Sequence, residues 1–231
     1  MTIENSIKGN INANHEILIL DNNSNITIDT NSLIAEIKGP YQKTFTPKKE
    51  TLKGCGYSEI IRDLKEKSQQ LGTNIIDIFE LKKPNGISNC YKIKAKLYRN
   101  IDDKLVDSIK SYNSSKNISK LDKNANFALI HLYRPKCFYG TIVKFDILMD
   151  NNAFITKLSN GQKISFKIFD FGVHTFSGIN QKNHKKEISI EVKKGQEYYL
   201  RCGVDIGRDY GVPQFSLIDN LTGLSEFQKV N

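Results

Sequence analysis

Apolar residues recur with a strong helical period in one part of the chain, residues 57–71. The apolar positions of this segment fall at i, i+3, i+4, i+7 and i+14 and are Tyr57, Ile60, Ile61, Leu64 and Leu71. This spacing places them on one side of a helix whose other side is charged. Gly72 follows the last of them, at the place where a left-handed residue commonly ends a helix. The pattern therefore predicts an amphipathic helix that ends before Gly72.

Short apolar runs surround this helix in the first hundred residues. They lie at residues 17–20, 26–28, 33–37 and 73–81, and residues 91–97 alternate apolar side chains with Lys92, Lys94 and Lys96. Such short, β-branched or alternating runs are typical of strands. We therefore predict a small α/β domain over residues 1–101, with one main helix on a sheet.

Residues 102–124 are rich in Ser, Asn and Lys. Leu105, Ile109 and Tyr112 have the spacing of a short helix, but the polar composition favours a linker, which is how we interpret the segment.

From residue 125 the pattern is β throughout. About seven short strands, separated by Gly and Asn turns, predict an all-β antiparallel sandwich over residues 125–231. Asn160 and Gly161 form a dipeptide that favours a two-residue hairpin. We expect no strong helix in this half. The fold class is thus α+β, a small α/β domain followed by the sandwich.

The net charge changes which partners are expected. Lys and Arg total 34 against 25 acidic residues, for a net charge of +9. The excess is spread along the chain and few of the basic residues are Arg, so we do not expect a nucleic-acid partner. An anionic surface polymer or another envelope protein is the candidate partner. Lys92, Lys94 and Lys96 form a candidate binding patch, and the alternative is an ordinary solvated sheet face or protected edge.

The chain has four cysteines, Cys55, Cys90, Cys137 and Cys202. No CxxC pair is present, which excludes zinc-ribbon spacing, and we expect no metal and no cofactor. In an oxidising compartment, bonds joining Cys55 to Cys90 and Cys137 to Cys202 would place one disulfide in each half. The alternative is free, buried thiols.

No catalytic motif is present, and we expect a protein that is not an enzyme. Cys137 follows His131 closely, but a thiol nucleophile also needs an orienting group and an oxyanion site, and the sequence identifies neither. A cysteine-dependent hydrolase that uses Cys137 or Cys202 is the weakest alternative.

Two resemblances to known families add to this interpretation. Residues 55–99 contain a Cys, an amphipathic helix that ends Leu71-Gly72-Thr73-Asn74, and Cys90-Tyr91 before an alternating strand. This segment resembles the small α/β domain of the outer-membrane Rcs stress-sensor lipoprotein and heavy-metal-binding-like domains. Flanking cysteines form disulfides in such proteins, and the resemblance thus favours a bond between Cys55 and Cys90.

The second resemblance covers residues 126–231. Its motifs are A-x-I-x-L-Y-R-P from Ala128 to Pro135, the Asn160-Gly161 turn, G-V-H-T-F and K-K-G-Q-E-Y-Y-L-R. These are similar to a bacterial β-sandwich domain of unknown function, typically found in exported lipoproteins. The resemblance implies export, although the first ten residues have neither the basic start nor the apolar stretch of a signal peptide.

The sequence therefore predicts a non-enzymatic binding or scaffold protein of the bacterial cell envelope. A metal- or small-molecule-responsive sensor module is the alternative. The expected location is periplasmic or outer-membrane-associated if a leader was removed, and cytoplasmic otherwise. No transmembrane segment is expected, and the sequence predicts neither a ligand nor an oligomeric state.

Overall fold

The computed structural model describes residues 16–39, 57–83, 91–122, 124–138, 140–150, 153–205 and 211–230. Within these ranges the chain forms three helices and twelve strands. None of the three helices has the length and apolar content that a membrane crossing requires.

The first half contains a four-stranded sheet and two helices. In chain order these elements are β1 (Leu18–Asp21), β2 (Leu33–Gly39), α1 (Tyr57–Gln70), β3 (Ile75–Lys82), β4 (Lys92–Tyr98) and α2 (Asp103–Ser115). The strand order is β1-β3-β4-β2, in which β1 and β3 are parallel and the other neighbours are antiparallel.

Helix α1 packs on one face of this sheet, as its apolar stripe predicts. Ile60 and Leu64 are fully buried against Ile76, Ile78 and the apolar side chains of β4. Each buried side chain of this kind contributes about 1.5–3 kcal/mol to folding. Gly72 has φ +62° just beyond the helix, the left-handed conformation expected at its end.

Residues 103–115, expected to belong to a linker, form α2 instead. Asp102 caps the helix by accepting a hydrogen bond from the Lys104 amide at 3.0 Å, and Ile109 is fully buried. The helix covers the second face of the sheet beside β1. Its few apolar residues are therefore enough to bury one side of the helix against the sheet. Ile28 joins the same cluster from an irregular segment, so the strand expected over residues 26–28 was wrong.

The second half contains two four-stranded sheets and one helix. Its elements are β5 (Ala128–Tyr133), β6 (Phe145–Met149), β7 (Ala153–Leu158), β8 (Lys163–Ile168), β9 (Gly172–Asn180), β10 (Lys185–Val192), β11 (Glu197–Asp205), β12 (Val212–Ile218) and α3 (Asn220–Lys229). The sheets have the orders β10-β9-β6-β7 and β12-β11-β5-β8.

The two sheets enclose one apolar core, in which Ile130, Phe145, Phe176 and Leu200 are fully buried. The predicted α+β class with a β-rich sandwich is confirmed. One pairing within the sandwich, between β5 and β11, is parallel rather than antiparallel.

The hairpin predicted at Asn160 and Gly161 is wrong, although a turn is present there. Gly161 has φ +73°, as a tight turn requires. However, β7 pairs with β6 in one sheet and β8 pairs with β5 in the other. The turn therefore carries the chain from one layer of the sandwich to the other, which local turn chemistry cannot distinguish from a hairpin.

The expectation of no strong helix after residue 125 is also wrong. Asp219 accepts a hydrogen bond from the Thr222 amide at 2.9 Å and so caps α3. The helix lies on the outer face of the β12-β11-β5-β8 sheet, where Phe227 contacts Tyr133 and Tyr199. It is short, and its burial comes from aromatic partners that lie far away in the sequence.

Candidate functional site

A cleft of about 480 Å³ lies where the two halves of the chain meet. Strands β1 and β3 and helices α1 and α2 form one side, and the end of β12 with α3 forms the other. Asp21 and Asn22 border the cleft at the carboxyl end of β1, and Lys83 borders it just beyond β3. Ligands of α/β sheets commonly bind beyond the carboxyl ends of parallel strands, which is where this cleft lies.

Asp21 is a carboxylate of the cleft with several partners. It forms an ion pair with Lys116 and accepts a hydrogen bond from the Tyr112 hydroxyl at 2.7 Å. Burial raises the pKa of Asp21, but the bonds from Lys116 and Tyr112 outweigh it, so the net pKa is lowered. Lys116 also lies 4.0 Å from Asp219, the residue that caps α3. Asp21 is therefore ionised at neutral pH and its charge is balanced by Lys116.

On the opposite wall of the cleft, the Glu226 carboxylate lies next to the positive charges of Lys83 and Arg201. This carboxylate pairs with Lys83, lies 3.2 Å from Arg201 Nε and accepts a hydrogen bond from the Tyr133 hydroxyl at 3.0 Å. The Arg201 guanidinium in turn lies over the Tyr91 ring at 5.2 Å. The five residues come from both halves of the chain, so this network fixes the position of one wall relative to the other.

Two tyrosines and a set of uncharged polar side chains complete the lining. The Tyr57 and Tyr91 rings lie 5.4 Å apart. Burial, together with the charges of Asp219 and Asp21, raises the pKa of Tyr57 to about 12, so its hydroxyl keeps its proton. The uncharged polar residues at the cleft are Asn22, Asn23, Asn113, Asn117 and Thr222. Amide and hydroxyl groups both donate and accept hydrogen bonds, which suits ligands that do the same.

The electrostatics disfavour a charged ligand. Lys116 and Lys83 are already paired with carboxylates inside the cleft, so an anion or a cation would have to break an existing pair. An uncharged polar ligand would break no ion pair, although the Asn113 and Asn117 amides already donate to the Ile19 and Asn113 carbonyls.

The three lysines of the candidate binding patch lie together on one face of β4, where acidic and aromatic side chains lie beside them. Lys94 pairs with Glu80, and Lys96 lies over the Phe79 ring at 5.3 Å. Burial raises the pKa of Asp77, with the nearby charge of Lys96 opposing the rise. Lys92 is exposed. Because acidic neighbours alternate with the lysines, the positive potential of this face is weaker than the sequence suggests.

The structure describes two of the four candidate cysteines. Cys55 and Cys90 lie outside the described residues. Cys137 and Cys202 are not joined to each other, which corrects the pairing proposed for the second half. The Cys202 side chain is buried in the sandwich core, and burial raises the pKa of its thiol against the opposing charges of Arg134 and Arg201. A thiol of this kind is a poor nucleophile.

The two strand histidines lie on different sheets of the sandwich. His174 bonds to the Asp150 carboxylate at 2.7 Å, while His131 bonds to Ser165 and Glu197. In the part of the chain that the structure describes, no group of three or more potential ligands is placed to hold a metal ion.

Sequence reasoning did not identify the residues that line the cleft. Asp219 could have been found as an N-cap candidate, because Asp is among the residues preferred at that position. Asp21, Lys116 and Glu226 carry no such signal, because they approach one another only through the docking of α2 and α3 on the sheets.

Comparison with known proteins adds no relative, since no family model, no curated protein and no solved structure matches the chain. The two resemblances drawn from sequence motifs therefore stay predictions.

Proposed function

We propose that this protein is a binding protein whose ligand site is the cleft between its two halves. The ligand that suits the site is small, uncharged and rich in hydroxyl groups, such as a mono- or disaccharide. The observation that carries the proposal is the cleft of about 480 Å³, lined by amides and two tyrosine rings from the first half and by the Thr222 hydroxyl from the second. Its volume falls in the range of small-molecule sites, roughly 300–1,000 Å³.

The charge arrangement supports binding rather than chemistry at this site. Lys116 pairs with Asp21 and Lys83 pairs with Glu226. The bonds from Lys116 and Tyr112 lower the pKa of Asp21, so this carboxylate is not poised to take up a proton near neutral pH. The small-molecule form of the sensor alternative uses the same cleft. The thiol-hydrolase alternative loses support, because Cys202 is buried with a raised pKa.

The cell envelope remains the proposed location, supported by the lipoprotein-like motifs of the second half. Fractionation of the native cell tests it, and recovery of the protein with the periplasm or membranes is the expected result. An anionic polymer partner remains a prediction, which the carboxylates beside the β4 lysines weaken.

Calorimetric titration with glucose, N-acetylglucosamine and maltose, beside glucuronate and glucosamine as charged counterparts, tests the ligand class. We expect the neutral sugars to bind more tightly than the charged ones. Tyr57→Phe removes one hydroxyl at the cleft and should weaken binding by about 2–12-fold, the equivalent of a hydrogen bond of about 0.5–1.5 kcal/mol.

Tyr198→Phe, which removes a hydroxyl of the sandwich outside the cleft, is the matched control and should leave binding unchanged. If no neutral sugar binds, or if the two variants behave alike, the ligand class is wrong.

A further inference from the structure

Three polar side chains lie in a row across adjacent strands on the outer face of the β12-β11-β5-β8 sheet. His131 on β5 is directly opposite Ser165 on β8, and its Nδ1 lies 2.8 Å from the Ser165 hydroxyl oxygen. On its other side, His131 Nε2 lies 3.4 Å from Glu197 Oε1 on β11. The row has the order hydroxyl, imidazole, carboxylate, which is the arrangement that activates serine nucleophiles.

The hydrogen-bond partners define where the imidazole proton lies. A carboxylate oxygen accepts hydrogen bonds, so His131 carries its proton on Nε2 and donates it to Glu197 Oε1 in a hydrogen bond. Nδ1 is then left with a lone pair that accepts the Ser165 hydroxyl proton. The second oxygen of Glu197 accepts the Lys120 backbone amide, which holds the carboxylate in place. This is the tautomer in which His131 can act as a base toward Ser165.

The surroundings hold the His131 ring and keep it neutral. The ring stacks on Tyr199 at 4.4 Å and meets the Phe227 ring edge at 4.9 Å. Burial lowers the pKa of His131, and the hydrogen bond and charge of Glu197 oppose the fall without cancelling it. Ser165, by contrast, is exposed on the edge strand β8, so reagents in solution reach its hydroxyl.

Two cations flank Ser165. Lys163 and Lys167 are two residues away on either side and therefore share its face of the strand. Lys163 donates a hydrogen bond to the Phe227 carbonyl at 3.2 Å, and Lys167 lies over the Phe127 ring at 4.1 Å. Their positive charges lie on the same strand face as Ser165, and this sign favours the negative charge that develops when a hydroxyl attacks a carbonyl or phosphonyl centre.

We propose that Ser165 is an activated nucleophile that accepts an acyl group from small, unhindered esters, with His131 as its base and Glu197 as the positioning residue. The Ser165 oxygen forms a bond to the ester carbonyl carbon, and its proton passes to His131 Nδ1. The bond from that carbon to the alkoxy oxygen then breaks, and the alcohol leaves with the proton. This activity goes beyond the ligand binding proposed above, and its site is separate, since β12 borders the cleft and β8 is the opposite edge of the sheet.

Labelling with a fluorophosphonate, followed by peptide mass spectrometry, tests the proposal. In this reaction a bond forms from the Ser165 oxygen to phosphorus, the P–F bond breaks, and the hydroxyl proton passes to His131. We expect one label per chain, located on Ser165, and a burst of 4-nitrophenol from 4-nitrophenyl acetate. Ser165→Ala should abolish both.

Ser189→Ala is the matched control, because Ser189 is an exposed strand serine whose hydroxyl bonds to Thr175 rather than to a histidine. The Ser189→Ala variant should be labelled by the fluorophosphonate at the same rate as the unmodified protein. His131→Asn keeps a hydrogen-bonding group beside Ser165 but cannot take up its proton, and should slow labelling by about 10²-fold or more.

The pH profile separates base catalysis from a purely structural role. The ionisable and charged groups around His131 are Glu197, Arg201 and the stacked Tyr199 of β11, Lys163 of β8 and Glu226 of α3, which accepts a hydrogen bond from Tyr133 on the same face of β5. The labelling rate should rise with pH and level off once His131 is neutral, below its usual value of 6.5. Glu197→Gln should slow the reaction across that range.

Equal labelling of Ser165 and Ser189, labelling that survives His131→Asn, or no label at all would overturn the proposal. If the His131 and Glu197 variants fail to fold, the comparison of Ser165→Ala with Ser189→Ala still decides it, since both positions are exposed.

Discussion

Lys83 and Glu226 lie 143 residues apart in the chain and form an ion pair across the cleft. The pair joins the end of β3 to α3, and through Glu226 it also reaches Arg201 and the Tyr133 hydroxyl on the sandwich. The Glu226 side chain is 13% exposed and that of Arg201 12%, so this part of the network is shielded from solvent, whereas Lys83 is 44% exposed. The contact holds the cleft walls at a fixed separation.

Glu226→Gln tests that network. The amide keeps the size of the side chain but leaves Arg201 and Lys83 without their counter-charge. Because Arg201 is nearly buried, we expect the free energy of unfolding to fall by about 2–3 kcal/mol, measured by urea denaturation. Glu191→Gln breaks an exposed pair with Lys193 and should cost at most about 0.5 kcal/mol. Equal losses in the two variants would show that Glu226 is an ordinary surface carboxylate.

Gly223→Ala tests the close approach of α3 to the sandwich. An added Cβ would lie 2.3 Å from the Tyr199 Cβ, so the helix would have to move away. We expect a loss of about 1–3 kcal/mol in the free energy of unfolding, despite the better helix propensity of Ala. Gly203→Ala places its Cβ 3.8 Å from the Gln214 Cβ and serves as the control, with a much smaller change. A Gly223 variant as stable as the control would contradict the packing of α3.

Arg134→Met tests a buried cation. The guanidinium donates to the Val143 and Gly140 carbonyls and lies 4.8 Å from the Phe145 ring centre. Burial lowers the pKa of Arg134 to about 10, with the neighbouring thiols opposing the fall. Methionine fills similar space but leaves two carbonyls without donors, so we expect a loss of about 2–4 kcal/mol in chemical denaturation.

The matched control for Arg134 is Arg62→Met on the exposed face of α1, where the side chain is 62% exposed. It should change stability by less than about 0.5 kcal/mol. Comparable effects at the two positions would show that the buried hydrogen bonds of Arg134 make no net contribution to the free energy of unfolding.

The pair of His174 and Asp150 predicts a dependence of stability on pH. Burial lowers the pKa of His174, but the bonds from Asp150 and Asp170 outweigh it and raise the net value above 6.5. A histidine whose folded pKa is raised stabilises the protein below its unfolded value. That contribution should therefore be complete below pH 6.5 and should disappear as pH rises through the folded pKa.

The stability contribution of Asp150 has the opposite pH dependence, because the Thr175 amide and His174 lower the pKa of Asp150 below 3.8. Between pH 3.8 and 6.5 both contributions are present. Thermal melts of the unmodified protein, His174→Gln and Asp150→Asn from pH 5 to 9 measure the effect. Both variants should lose the decline above pH 6.5, and Asn tolerates the positive φ of position 150. A decline that persists in both would assign it to other groups.

The sequence predicted those elements whose signal is local. Helix α1 and most strands follow from apolar spacing and from turn residues within each segment. The segment of α2 has the spacing of a short helix but was interpreted as a linker, and α3 was not predicted. Each is polar over most of its surface, and tertiary contacts at Ile109 and Phe227 supply the burial. The Asn160-Gly161 turn was misread because sheet partnership is a long-range property that a dipeptide does not encode.

The candidate sites were harder to predict than the fold. The cleft depends on Asp21 meeting Lys116 and on Lys83 meeting Glu226, and no spacing rule connects residues so far apart. Ser165 and His131 carried no sequence signal either, since cross-strand register alone brings them together. Of the cysteines that composition made conspicuous, Cys202 is buried and Cys137 is partly exposed, and the lysines lie on a partly neutralised sheet face.

Mapping of backbone amide shifts by NMR during titration with a neutral disaccharide tests the binding cleft most directly. The account predicts that the shifts concentrate at Asn23, Asn113, Asn117 and Thr222, on both walls at once, and weaken in Tyr57→Phe. Shifts confined to one half of the chain, or absent at saturating sugar, would contradict it.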